Sequence, residues 1–283
     1  MVKEYFFVLP LISLVAVTLF YPLIYAFKIS LTDFSLFSAG TANFVGLNNY
    51  ALLFHDPVIL YSLRITAYFT ASAVAIEFVF GLGIALLLNQ ELLGVRVFRV
   101  LLIFPLMVSP AISAILWRWL YTPDWGLLNY LIELLGGKGV NWLGNPSLVL
   151  FSLVLVDVWR NTPFVALVLL AGLQSLPREP IDAAKVDGAS TIQVFRFITL
   201  PLIRHVILVV ILFRTVTSIS IFDIIYILTR GGPGRATDTI AHLAFKRGLI
   251  HFNLGEGSAI GYLIFVISCL ISIFIILAMR RRR

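Results

Sequence analysis

Six stretches of roughly 20 or more mostly apolar residues run along the chain, and they limit its fold more than any other feature. Their approximate bounds are 5–27, 65–88, 97–120, 148–172, 202–228 and 257–279. A bilayer core of ~30 Å needs ~20 apolar residues per crossing helix. A transmembrane β-barrel would instead show alternating segments of ~10 residues, and the sequence has no such run. The pattern predicts an all-α, polytopic membrane protein with six transmembrane helices in a single transmembrane domain, 1–283. Its first helix covers about 5–27 and its core helices about 65–279. Composition agrees. The 283 residues are 60% hydrophobic and 12% charged, with a mean hydropathy of +1.00. Soluble domains carry about 25% charged residues. A water-soluble enzyme, a disordered chain and a nucleic-acid binder are excluded on that comparison.

The basic residues set an orientation. With the N-terminus inside, the cytoplasmic set is Lys3, Arg96, Arg99, Arg178, Lys185, Arg196, Arg204 and Arg280 to Arg283, eleven in all. The outer set is Lys28, Arg64, Arg118, Lys138, Arg230, Arg235, Lys246 and Arg247, eight in all. The bias is modest, but the Arg280–Arg283 cluster abuts the last stretch and places both termini in the cytoplasm. A signal peptide has an apolar core of about 7–15 residues and a small-residue cleavage site. The first stretch is longer and reads as retained. The lone Cys269 lies in an apolar run and reads as a buried, inert thiol. Trp117, Trp119, Tyr121, Trp125 and Trp142 read first as an aromatic belt at one interface, with sugar stacking as the alternative.

The cytoplasmic segment 176–201 carries the densest local signal. Pro180 suits a first helical turn, where its missing N–H costs little. Gly188 supplies a backbone angle other residues resist. Ser190 with Gln193 forms a capping-box pattern that restarts a helix, and Pro201 marks a break before the fifth stretch. The small side chains of Ala183, Ala184 and Ala189 let another surface approach closely. Two short helices around a glycine, lying on the membrane face, suit a docking role. An ordinary amphipathic loop is the alternative.

The segment resembles the EAA motif of bacterial ABC importer permeases. Asp182-Ala183-Ala184, Gly188 and Ile198-Thr199-Leu200-Pro201 follow that spacing, with Asp where the family prefers Glu. Asp187-Gly188-Ala189 matches the form common in carbohydrate permeases. Four further runs are similar to family segments in the same order: Phe44 to Tyr50, Gly81 to Asn89, Leu170 to Gln174 with Pro163-Phe164, and Phe222 to Pro233. Together they resemble the maltose/glycerol-3-phosphate class of sugar importer permeases, in the form of the first of two permeases. The resemblance implies the ABC type I importer permease fold in a bacterial cytoplasmic membrane. It implies docking to an ATPase through Glu179, Asp182, Ala183, Ala184, Asp187, Gly188 and Ala189. It implies two ATP-binding subunits, a second related permease, a periplasmic or lipid-anchored binding protein, a sugar substrate and lipid, and no nucleic acid.

The chain contains no G-x-x-x-x-G-K-[ST] phosphate loop. No cofactor and no metal are expected on it, and ATP with Mg belongs to the partner ATPase. Ionisable residues inside spans are costly and point to function. Here they are Glu77, Asp157, Arg160 and Arg214. A structural pair of Glu77 with Arg214 or with Arg160 competes with substrate contact. For sugar hydroxyls, Asn161, Thr162, Thr215, Ser218, Ser220, Asp223, Ser109 and Ser113 are available, and Trp159 offers a ring face. Trp159, Asn161, Ser218, Asp223 and Glu77 are taken as the substrate pathway, although Ser and Thr also serve helix packing. Two other readings stay open. One is an ion-driven transporter with Glu77 as proton carrier. The other is an intramembrane enzyme, for which His55, His205, His242 and His251 show no H-E-x-x-H pattern.

Overall fold

A computed structural model describes residues 2–37, 42–90 and 94–280. In chain order the helices are α1 (Val2–Ser30), α2 (Asn48–His55), α3 (Pro57–Leu88), α4 (Val95–Met107), α5 (Pro110–Leu120), α6 (Leu127–Leu134) and α7 (Val149–Gln174). There follow α8 (Glu179–Val186), α9 (Thr191–Val194), a π-helical turn (Phe195–Thr199), α10 (Leu200–Leu202), α11 (Arg204–Ile219) and α12 (Asp223–Leu228). The last are α13 (Ile240–Phe245), a second π-helical turn (Lys246–Ile250) and α14 (Leu254–Arg280). Among the described residues, four helices are long and apolar enough to cross a membrane, and six spans result if each of two bent pairs counts as one. Of the C-terminal basic cluster, residues 281–283 lie outside the described residues.

Two expected spans are broken. The 97–120 stretch bends by 98° between α4 and α5. Pro110 at the first turn of α5 forces the preceding residue out of the helical region, and Ser109 is extended (φ −62°, ψ 152°). Ser109 then caps α5 by accepting the Ile112 N–H at 3.3 Å. The 202–228 stretch is broken twice. It bends by 65° at Ile203, two residues after Pro201, and loses helix again at Ser220–Phe222. There, β-branched and hydroxyl residues hold the helix weakly. The second stretch starts earlier than expected, at Pro57, because Asp56 accepts the Val58 N–H at 2.7 Å and caps it. Cys269 is half-buried, not buried, since it sits on a helix face only partly covered by protein.

The chain divides into two compact units. The first is Met1–Leu63 with Ile240–Ile267. Its core is Leu53, Ile59, Ile240, Leu243, Ala259 and Ile260, and Arg247 pairs with Asp56 and Glu256. α1 is exposed along its apolar length, as a lipid-facing helix would be.

The second unit is Arg64–Thr239 with Ser268–Arg283. α7 is its buried centre. Phe69, Tyr121, Leu153, Val156 and Ile225 pack at one end of α7, and Val165, Leu169, Leu173 and Val210 at the other. Between lipid and protein there is little hydrophobic driving force, so close packing and polar contacts carry helix association. Gly81 shows the closeness: a Cβ there would lie 2.5 Å from Val165 Cγ1.

Candidate functional site

Arg214 of α11, only 5% exposed, ties three helices together. Its Nε donates to Glu77 Oε2 at 2.6 Å and its Nη2 to Glu77 Oε1 at 2.8 Å. Nη2 also donates to Asp157 Oδ2 at 2.9 Å, and Nη1 to Thr217 Oγ1 at 2.9 Å. A forked guanidinium can serve two carboxylates in this way. Arg214, not Arg160, is therefore the partner of Glu77. Arg160 instead reaches across to the α4–α5 break, donating through Nε to Val108 O at 3.3 Å and through Nη1 to Asn161 Oδ1 at 3.3 Å. Asn161 spends Nδ2 on Asp157, at 2.7 Å to Oδ1 and 3.1 Å to the carbonyl.

Above this network, the break at Ser220–Phe222 and the start of α5 open a cavity of about 140 Å³. Arg214 and Asp157 of the network itself line it, with Pro110, Arg160, Asn161, Thr217, Ser220 and Asp223. Irregular backbone within a membrane is tolerated where it lines such a space. Of the five pathway residues, Asn161 and Asp223 face the cavity. Glu77 is fully buried behind Arg214. Trp159 packs its ring edge-on against Trp117, centroids 5.9 Å apart. Ser218 is buried, its Oγ unpartnered, and outside the cavity wall. Thr217 and Pro110 went unnoticed in the sequence. The X-Pro dipeptide Ser109-Pro110 was the available signal, because it disfavours helix at Ser109.

Trp117, Tyr121 and Trp142 form one packed cluster, with centroids 5.3 and 5.5 Å apart across Tyr121. Burial pushes the Tyr121 hydroxyl pKa up, and the hydroxyl donates to Ser152 O at 2.7 Å. Trp119 and Trp125 are exposed, as belt residues would be.

The 176–201 segment has a different surface. Pro180 sits in the first turn of α8, and Gly188 ends that helix at φ +82°. The capping box is formed, Ser190 N–H to Gln193 Oε1 at 2.7 Å and Gln193 N–H to Ser190 Oγ at 3.4 Å. Glu179, Asp182, Ala183, Asp187 and Gly188 are exposed, while Ala184 and Ala189 are half-buried. Asp187, Gly188, Ala189, Gln193, Val194 and Phe197 line a groove of about 370 Å³. Val186, Ile192 and Phe197 stand exposed beside it.

Residues 78–283 match the family described as binding-protein-dependent transport system inner membrane component. The chain belongs to that family. It is 42% identical to the trehalose/maltose transport system permease protein MalF of Thermococcus litoralis, over 93% of this chain and 88% of that one. It is 36% identical to the trehalose transport system permease protein SugA of Mycobacterium tuberculosis, over 89% and 80%. Its fold matches the crystal structure of a bacterial ABC transporter involved in import of the acidic polysaccharide alginate, with a TM-score of 0.86 over 99% of this chain and 96% of that one, at 22% identity.

The chain is thus a multi-pass inner-membrane permease component with the ABC importer permease fold. Family membership sets aside the ion-driven transporter and the intramembrane enzyme.

Proposed function

We propose that this permease component carries a neutral disaccharide of the trehalose or maltose kind into the cell by alternating access. Separate ATP-binding subunits, holding ATP and Mg, drive it through the 176–201 segment. The observation that carries this reading is the exposed surface of that segment. Its two short helices are fixed by local bonds, and a groove is left open with Val186, Ile192 and Phe197 uncovered at its side. Exposed apolar side chains among charged ones mark a protein contact. Glu179, Asp182, Ala183, Ala184, Asp187, Gly188 and Ala189 are the proposed docking residues. ATP binding and sugar must each favour particular states of the permease for work to pass between them.

The relatives named for trehalose and maltose supply the substrate class. The cavity suits hydroxyl groups, because it offers Arg160 as donor, Asp223 and Asn161 as acceptors, and Ser220 as either. At about 140 Å³ it is smaller than the ~300–1,000 Å³ of a full ligand site. A second permease therefore completes the pathway, and a binding protein delivers the sugar from outside. The 176–201 segment and the C-terminus then face the cytoplasm.

Native mass spectrometry of the tagged chain, purified in mild detergent with its neighbouring gene products, tests this assembly. One copy of this chain, one second permease and two ATPase chains are expected. A stable chain free of any ATPase, under conditions that keep a known importer whole, overturns the reading.

A further inference from the structure

We infer that Asp157, held by Arg214, is a positioning residue that turns the amide oxygen of Asn161 toward the substrate. The inference rests on the cavity being part of the sugar pathway. Asn161 has two N–H donors and one carbonyl oxygen. Both donors end on Asp157, at 2.7 Å to the carboxylate and 3.1 Å to the carbonyl. The flipped amide would set its oxygen against the Asp157 carboxylate and carbonyl, and its NH2 against the Arg160 guanidinium, so Asp157 selects the orientation together with Arg160. The Asp157 carboxyl is itself held in place by Arg214 Nη2 at 2.9 Å. One Asn161 Oδ1 lone pair accepts from Arg160 at 3.3 Å, and the other remains for a ligand. Asn161 lines the cavity, so it presents an acceptor there and selects a sugar hydroxyl that donates. Asp157 also borders the cavity, and the role assigned to it is to set specificity through Asn161.

The test is a double-mutant cycle on uptake of labelled trehalose and maltose. The complete transporter and its binding protein are used in proteoliposomes. Asn161→Ala removes the acceptor and is expected to raise KM about five- to tenfold. Asp157→Asn places an amide that can itself donate to Asn161 Oδ1 beside it, which weakens the selection, and is expected to raise KM by a similar factor. The double variant is expected to match Asn161→Ala alone, because the two residues act in series. A purely structural role for Asp157 would lower the amount of assembled complex and leave KM unchanged. If Asp157→Asn fails to assemble, Arg214→Lys replaces it. A single ammonium cannot serve both carboxylates, so KM rises the same way. An unchanged KM in the Asp157 variant, or in Arg214→Lys where that replaces it, overturns the inference. So do effects that multiply in the double variant. An unchanged KM in Asn161→Ala overturns the pathway reading of the cavity, and a wild-type complex that moves neither sugar overturns the proposed substrate class.

Discussion

The 176–201 segment and the Arg214 network are built by opposite means. In the segment, the fixing bonds close over three residues, as in the Ser190–Gln193 box. Most of its residues are exposed, and only Val194 is buried. In the network, the bonds span 57 and 137 residues and every ionic group is buried. A local motif holds its shape whatever surrounds it and can offer its surface to a partner. A long-range buried network exists only when the helices are already in place, so it can report on their arrangement. The first suits docking, and the second suits the orientation of groups around a cavity.

The contrast predicts unequal damage from single changes. Arg214→Met leaves Glu77 and Asp157 buried without their counter-charge, and such losses cost about 3–5 kcal/mol. Little folded protein should survive detergent extraction, as read by fluorescence-detected size exclusion. Replacing Arg214, Glu77 and Asp157 together with apolar residues of similar volume should restore most of that stability. The triple variant should still not transport normally. Normal KM and rate in it would reduce the network to a helix tie.

Gly81→Val comes next. The added Cβ meets Val165 Cγ1 at 2.5 Å and the Ala166 backbone N at 3.2 Å. α3 and α7 must then separate, at a cost of about 1–3 kcal/mol. A clear fall in melting temperature is expected in detergent. A smaller effect for Gly81→Ala than for Gly81→Val would confirm that volume is the cause.

These two regions also differ in how far they could be read from residue order. The glycine turn, the capping box and the first-turn proline of segment 176–201 are each signalled within four residues, and each is found where expected. The long spans α3, α7 and α14 were legible from apolar length alone. The breaks were not. A stretch such as 97–120 is mostly apolar, and of its two X-Pro pairs Phe104-Pro105 lies inside α4 while Ser109-Pro110 marks the 98° bend. The choice of Arg214 over Arg160 for Glu77 was also invisible, because both arginines lie in spans at comparable depth. Pairing depends on which helix face meets α3, a tertiary fact. Trp159 and Ser218 were proposed by chemistry alone. Both lie outside the cavity lining, Trp159 against Trp117 and Ser218 buried, and residue order alone does not separate a ring or hydroxyl that packs from one that meets a ligand.

On the local side the effects should be small and confined. Ser190→Ala removes the cap of α9 and is expected to cost about 1 kcal/mol locally. Hydrogen exchange over 191–194 should quicken while the melting temperature of the whole protein stays put. A matching drop in global melting temperature would show that the segment is coupled to the core and does not hold its shape alone.

The smallest effect belongs to an ion pair intermediate between the two extremes. Arg247 binds Asp56 and Glu256 in a setting only partly shielded from water, with side chains 17–24% exposed. Burial alone would push the Asp56 pKa up. The Arg247 hydrogen bond and charge, with the Val58 N–H, outweigh it and hold the carboxyl below its ordinary 3.8. The unfolded chain then binds a proton more readily than the folded one. Asp56 therefore adds stability above about pH 4, and that stability is lost as pH falls through the folded value. Asp56→Asn keeps the helix cap, since Asn caps as well as Asp, and removes only the charge. At pH 7 the variant should be less stable by under about 1 kcal/mol, since Arg247 keeps Glu256 and water screens the pair. Raising the salt concentration should shrink that difference. Below the folded pKa, wild type and variant should melt together. A difference that persisted there would mean that Asp56 acts through shape rather than charge.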